Sequence, residues 1–203
     1  MLIATGASTF SEIKKLLKRI LKINKKIVLM QCNTNYTGNE NNLDYINLNV
    51  LTKFRKNFPN IILGLSDHTF GHASVLGAIA MGARVIEKHF TLNNSLKGPD
   101  HYFSMNPNTW SEMILRAREL ERCLGSGIKK VENNEKDTVI IQRRSIHARN
   151  NIPINKKITK SDLIVLRPSP KNSFKPDELK KVIGKKTLKF ISRGQTIFKN
   201  DIK

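Results

Sequence analysis

The sequence predicts an α/β fold: a parallel sheet built from four βα units, followed by a small β-rich domain. Three observations carry this. Short apolar runs alternate with segments of helical spacing from Leu2 to Leu124. Polar residues able to do chemistry gather where the apolar runs end. After Gly125 the chain turns polar and charged, then resumes as short apolar runs separated by turn signals. Strand–helix alternation implies parallel strands joined by right-handed crossovers.

The first strand is Leu2–Thr5, ended by Gly6. Thr9 reads as a helix N-cap with Glu12 completing a capping box, and Ile13, Leu16, Leu17, Ile20 and Leu21 follow at helical spacing. Ile27–Met30 is the second strand, running into the polar loop "QCNTNYTGN". A second helix is expected over Leu43–Phe58, stopped by Pro59, and a third strand over Ile61–Leu65, followed by "SDHTFG". His72–Met81 is a helix of small residues with Gly82 as its C′ cap. Arg84–Phe90 is the fourth strand, and Asn108–Leu124 is a long helix closed by Gly125. Four units cannot close an eight-stranded barrel, which takes about 250 residues. The sheet is therefore either a small open one or half of something larger.

Residues 1–126 are assigned to the α/β domain, 127–138 to a linker and 139–203 to the second domain. Within the last, Ile158–Leu163 ("ITKSDL") is echoed by Ile197–Ile202 ("IFKNDI"), each after a turn-like stretch. Two such units suggest pseudo-symmetry, with one short helix near Pro176–Val182.

Composition narrows the function classes. Hydrophobic content of 39% and charged content of 26% over 203 residues fit a soluble globular protein. No apolar run approaches the roughly 20 residues a membrane helix needs. The start "MLIATGASTF" lacks the basic and apolar regions of a signal peptide and enters a strand at once. Cys32 and Cys123 stand far apart with no metal spacing, and read as free thiols in a reducing, cytoplasmic compartment. A net charge of +20 raises nucleic acid as a partner. The lysines, however, are scattered through "KKLLKRILKINKK", "KKVENNEK" and "KKVIGKKTLK" without the interleaved aromatics that stack bases. Neither a nucleic-acid nor a membrane partner is expected.

The chemistry collects at strand ends, as parallel α/β folds require. The second strand ends in Gln31–Tyr36 and the third in Ser66-Asp67-His68. The fourth carries Glu87 and His89, two apart and so on one face. "GPDH", Gly98–His101, follows. Two neutral imidazoles at neighbouring strand ends suit a divalent transition metal, with carboxylates and water completing its shell. Taken singly, His68 reads as a loop histidine making a hydrogen bond, and His89 as a partner for Glu87. Their pairing favours metal. His72 reads as a cap or surface group, His101 stays open between roles, and His147 has none.

In order along the chain, "ATGASTFSEI", "LMQCNTNYTG", "GLSDHTFG", "VIEKHFT" and "GPDHYFSMNP" resemble the sialic acid synthase family, which condenses phosphoenolpyruvate with an N-acylated hexosamine. "RRSIHARNNIP", "ITKSDLIVLRPS" and "IGKKTLKFISRGQTI" are similar to that family's antifreeze-like (SAF) domain. The resemblance covers essentially the whole chain. It implies the C-terminal half of a (β/α)8 TIM barrel, strands five to eight, followed by the SAF domain. The barrel half not represented carries family lysines that grip phosphate and an acidic residue near the reacting carbons. The inward faces of Ile3, Leu29, Ile62 and Val85 would then lie open.

Carried over by position, His68 and His89 match the metal-binding histidines, the metal being manganese or magnesium acting as a Lewis acid on the sugar aldehyde. Ser66 matches a serine near the phosphate of phosphoenolpyruvate, and Tyr36 a tyrosine on the sugar or phosphate side. The family asparagine of that loop falls at Asn33 or Thr34. Glu87 and Asp100 match acidic residues lining the site. Arg167 matches an arginine that reaches the barrel of the neighbouring subunit in a homodimer and holds the N-acyl group of an N-acetylmannosamine-like sugar. The rivals are a non-catalytic half-barrel and SAF binding fragment, and a different phosphoenolpyruvate-dependent keto-sugar acid synthase. The SAF-like tail argues against the latter.

Overall fold

Four strands, β1 (Leu2–Ala4), β2 (Val28–Cys32), β3 (Ile62–Asp67) and β4 (Ala83–Lys88), form one sheet in that order, every neighbouring pair parallel. The computed structural model describes residues 1–203, which divide into two units, Met1–Ile128 and Lys129–Lys203. Helices α1 (Phe10–Ile20), α2 (Asn49–Asn57), α3 (Ala73–Ala80) and α4 (Pro107–Leu124) complete the first unit.

The two faces of this sheet differ. Strand register lines up Leu29, Leu63 and Ala83, and beside them Gln31, Leu65 and Ile86. That face packs on the helices: Leu29, Leu63, Leu65 and Ala83 share a buried cluster with Ile13, Leu17, Phe54, Ala78 and Met113. The opposite face carries Leu2, Val28 and Ile62 in one row, then Met30, Gly64 and Val85, then Cys32, Ser66 and Glu87. Leu2 and Ile62 are 55% and 52% exposed. Of the four residues expected on the open face, Ile62 and Val85 lie there. Ile3 and Leu29 instead pack into the helix-side cluster, because alternation puts neighbours on opposite faces. Gly64 is required where it stands: a Cβ would sit 2.8 Å from the Val85 carbonyl oxygen.

Local signals explain the helix ends. The Thr9 backbone N–H donates to Glu12 Oε2 at 2.7 Å while Thr9 Oγ1 caps Glu12, so α1 opens with the expected capping box. Asn106 caps α4 by accepting from Asn108 and Thr109, with Pro107 in its first turn. Gly82, at φ +91°, ends α3 in the left-handed conformation. The second helix is shorter than Leu43–Phe58. A 3-10 turn spans Glu40–Tyr45, and α2 starts only at Asn49, after Asn47 turns left-handed at φ +47°. Asparagine side chains compete for backbone partners and favour turns over helix interiors, as Asn39 does in capping Asn41.

Residues 125–137, between α4 and the next α-helix, are all exposed, with a single 3-10 turn at Asn133–Glu135. In the second unit, α5 (Thr138–Gln142) precedes β5 (Ser145–Ala148), which pairs antiparallel with β6 (Leu163–Leu166), and α6 (Leu179–Val182) follows. The sequence echo is structural. Lys160–Asp162 and Lys199–Asp201 each form a 3-10 turn with its aspartate 4% and 3% exposed. Each aspartate pairs with a lysine, Lys156 at 2.6 Å and Lys189 at 2.7 Å.

Candidate active site

All four strands of the first unit run the same way, so the residues following β2, β3 and β4 share one end of the sheet. Ser66 and Glu87 point away from the helices, and His68 and His89 continue those two rows beyond the last rung of the ladder. Ser66 Oγ donates to Glu87 Oε1 at 2.7 Å. The two imidazole centroids lie 5.1 Å apart. Tyr36, from the loop after β2, lies against both rings, 4.2 Å from His68 and 5.5 Å from His89. Phe103 backs His89 at 5.2 Å.

His68 is 5% exposed, and its Nδ1 lies 2.8 Å from the Asn33 carbonyl oxygen. A carbonyl can only accept, so Nδ1 carries the proton and the neutral ring offers the Nε2 lone pair. Burial pushes the His68 pKa below its ordinary value, outweighing the Asn33 bond that favours the charged ring, and His89 adds to the lowering. A neutral imidazole whose tautomer is fixed by a carbonyl is what a metal-ligating histidine requires. Asp100 Oδ2 stands 3.6 Å from His89 Nδ1, too long for a hydrogen bond.

No group of three or more His, Cys, Asp and Glu donors gathers anywhere in the chain. The two imidazoles alone would hold a divalent ion, with the rest of its shell left to water or substrate oxygens. Two nitrogen donors suit manganese better than magnesium, which takes oxygen.

The structure thus brings Tyr36, Ser66, His68, Glu87, His89 and Asp100 together. Asn33 acts through its backbone carbonyl, since its side chain donates to the Tyr45 carbonyl at 3.3 Å and accepts from the Asn35 N–H at 3.1 Å. Thr34 is exposed. Arg167 belongs to the second unit, where it is exposed. His72 occupies the N-cap of α3 without a side-chain cap bond. His101 bonds Thr91 Oγ1 at 2.8 Å. His147 is buried, its Nδ1 2.9 Å from the Gly194 carbonyl oxygen. Both cysteines are free, Cys32 buried and Cys123 exposed.

Sequence reasoning missed two features. One is a buried ion pair between Asp67 and Lys88, the residues immediately before the two histidines. Opposite charges in "DH" and "KH" at successive strand ends were the available signal. The other is an aromatic cluster of Phe70, Tyr102 and Phe103. It ties the loop after β4 to the loop after β2 through the Tyr102 hydroxyl, which donates to the Thr37 carbonyl. A hollow of about 680 Å³ beside the site is lined by Ala7, the Cys32–Thr37 loop and Tyr45. No helix is long and apolar enough to cross a membrane.

Residues 1–129 match the NeuB family, and residues 143–203 match the SAF domain. The N,N'-diacetyllegionaminic acid synthase of Legionella pneumophila is 33% identical over 97% of this chain and 55% of its own length. The human N-acetylneuraminate-9-phosphate synthase is 30% identical over 97% of this chain and 54% of its own. Among solved structures, the N-acetylneuraminic acid synthetase of Leptospira borgpetersenii is 27% identical, with a TM-score of 0.60 over 68% of this chain and 47% of that one. The spore coat polysaccharide biosynthesis protein of Bacillus subtilis is 25% identical, with a TM-score of 0.55 over 100% of this chain and 61% of that one. The chain spans about half the length of the curated relatives it matches.

Proposed function

The chain belongs to the NeuB family, and from that premise we propose that it supplies the metal-binding half of a nonulosonic acid synthase active site. The reaction is the condensation of phosphoenolpyruvate with an N-acylated hexosamine, with release of phosphate. Support comes from the names of the relatives, which are synthases of legionaminic and neuraminic acids. One observation carries the site: His68 and His89 side by side, with the Nε2 of His68 free for a cation.

In this reading His68 and His89 hold a divalent ion, manganese rather than magnesium. When bound, it supplies Lewis-acid polarisation of the sugar aldehyde. C3 of the enol attacks the aldehyde carbon, whose oxygen takes up a proton to become a hydroxyl. Positive charge develops at C2, water adds there and gives up its protons, and the C2–O bond to phosphate breaks to leave the keto acid and free phosphate. Glu87, held by Ser66 through one oxygen, keeps its other oxygen for that developing charge or for the attacking water, the electrostatic role carboxylates serve in such sites. Asp100 sits beside His89 and lines the site with a second carboxylate. Tyr36 closes one side of the imidazole pair and offers its hydroxyl to the sugar or phosphate. Arg167, on the SAF unit, serves the N-acyl group from the neighbouring subunit of a homodimer.

The test is phosphate release from phosphoenolpyruvate, manganese and a panel of N-acylated hexosamines, with a polypeptide carrying the first four βα units supplied in trans. His68→Ala and His89→Ala are each expected to lower turnover by at least a hundredfold without unfolding the chain. Turnover within a few-fold of wild type in both variants would sink the assignment.

A further inference from the structure

Beneath the two imidazoles, on the helix side of the sheet, lies a charged network that the reaction does not touch. Asp67 and Lys88 are strand-register partners, the last rung of the β3–β4 ladder. Both are almost fully buried, at 1% and 9% exposure. Lys88 Nζ donates to Asp67 Oδ2 at 2.6 Å and to the Thr69 carbonyl at 2.7 Å. Asp67 Oδ2 also accepts from Ser74 Oγ at 2.5 Å, and Oδ1 accepts from the Thr69 N–H at 3.1 Å and from Thr69 Oγ1 at 2.8 Å. Every buried polar atom here is satisfied.

A network of this kind is poorly explained by stability alone. Desolvating two charges cancels much of their attraction, and well-packed apolar residues often serve stability as well. What the network does provide is geometry. It pins the end of β3, the turn at Thr69, the first helical turn of α3 at Ser74 and the end of β4 to a single point. His68 lies between two of its members, Asp67 and Thr69, and His89 directly follows a third, Lys88. The backbone atoms that carry both rings are thereby fixed relative to one another.

We propose that Asp67 and Lys88 are positioning residues that set the separation of the His68 and His89 rings and so the affinity of the metal site. The proposal rests on the metal reading given above. Groups that orient metal ligands from behind typically change affinity by 10–100-fold when removed.

The probe is Mn²⁺ alone, titrated into the 203-residue chain and followed by the EPR signal of the free ion, so turnover is not needed. Wild type binds one equivalent, and His68→Ala removes it. The double variant Asp67→Leu/Lys88→Met, which leaves no lone buried charge, is expected to keep its circular dichroism and bind Mn²⁺ at least tenfold more weakly. Ser74→Ala, which removes one neutral bond to Asp67 and spares the ion pair, covers the case in which the double variant does not fold. It is expected to weaken binding about threefold, below the 10–100-fold exerted by groups that orient a ligand directly, because only one neutral bond is lost. A folded double variant binding within twofold of wild type would overturn the proposal and leave the metal reading standing. If the double variant does not fold, unchanged binding by Ser74→Ala overturns it. Wild type that binds no Mn²⁺ overturns both.

Discussion

Glu178 shows how a single side chain in this basic protein acquires a distinct acid response. It accepts from the Lys175 backbone N–H and from Lys181 Nζ, each at 3.0 Å, and these bonds hold its carboxyl down at about 2. A carboxyl depressed on folding contributes stability above its unfolded value of 4.5, and that contribution is lost as pH falls toward about 2. Glu178→Gln is therefore expected to flatten the acid limb of the stability profile between those values, with little change at pH 7. Thermal melts of both proteins from pH 2 to 7 check this, and parallel profiles would count against it. At the same scale, the site residues divide by how sequence encodes them. His68, Glu87 and His89 were readable because strand ends and a spacing of two fix both place and face. Asp67 and Lys88 were harder, since opposite charges at successive strand ends hint at a pair but do not tell a buried one from a solvated one. Their burial depends on where α3 packs, which brings Ser74 over Asp67. Tyr102 and Phe103 were hidden for a similar reason, in a loop without periodicity.

Elements were readable wherever a cap or a period marked them. The α1 capping box, the Gly82 terminus and the strand alternation all have local causes, so they could be placed from sequence. Thr9→Ala is expected to cost about 1 kcal/mol, the usual worth of such a cap, read by urea denaturation. The helix α2 starts later than its apolar spacing suggests because Asn47, in the left-handed conformation, interrupts the stretch. In the second unit the repeated turn is the informative element. Asp162 meets an opposing cost from burial, and the bonds from Lys156 and Thr159 outweigh it and hold its carboxyl below the usual range. Asp201 repeats the pattern, accepting from the Phe198 N–H at 2.9 Å and pairing with Lys189. Removing either carboxylate breaks hydrogen bonds made to a charged group, each worth about 1.5–3 kcal/mol. Asp162→Ala and Asp201→Ala should each destabilise the SAF unit by about 2–4 kcal/mol on that scale. Near-equal losses are the expected sign of pseudo-symmetry, and a loss confined to one of them would show that the repeat does not share its load.

For the whole molecule, β1 and β4 are the two edges of the sheet, and Leu2 and Ile62 stand open on the face away from the helices. Unpaired edges and exposed apolar rows invite association. The 203-residue chain is expected to self-associate through these edges and open rows. Light scattering tests this, and a monomeric preparation would refute it. Protease should cut first within residues 127–137, all exposed. The reach of Arg167 into a neighbouring subunit makes the sharpest claim at this scale, because symmetry turns it into a complementation test. In a two-fold dimer each site would combine His68 of one subunit with Arg167 of the other. In the phosphate assay with the first four βα units supplied in trans, Arg167→Ala and His68→Ala chains, each inactive when it is the only chain present, would then form mixed dimers with one doubly damaged site and one intact site. Random exchange makes half the dimers mixed, so activity should return to about a quarter of wild type. If Arg167 instead served its own subunit, every site in every dimer would carry one lesion, and mixing would restore nothing.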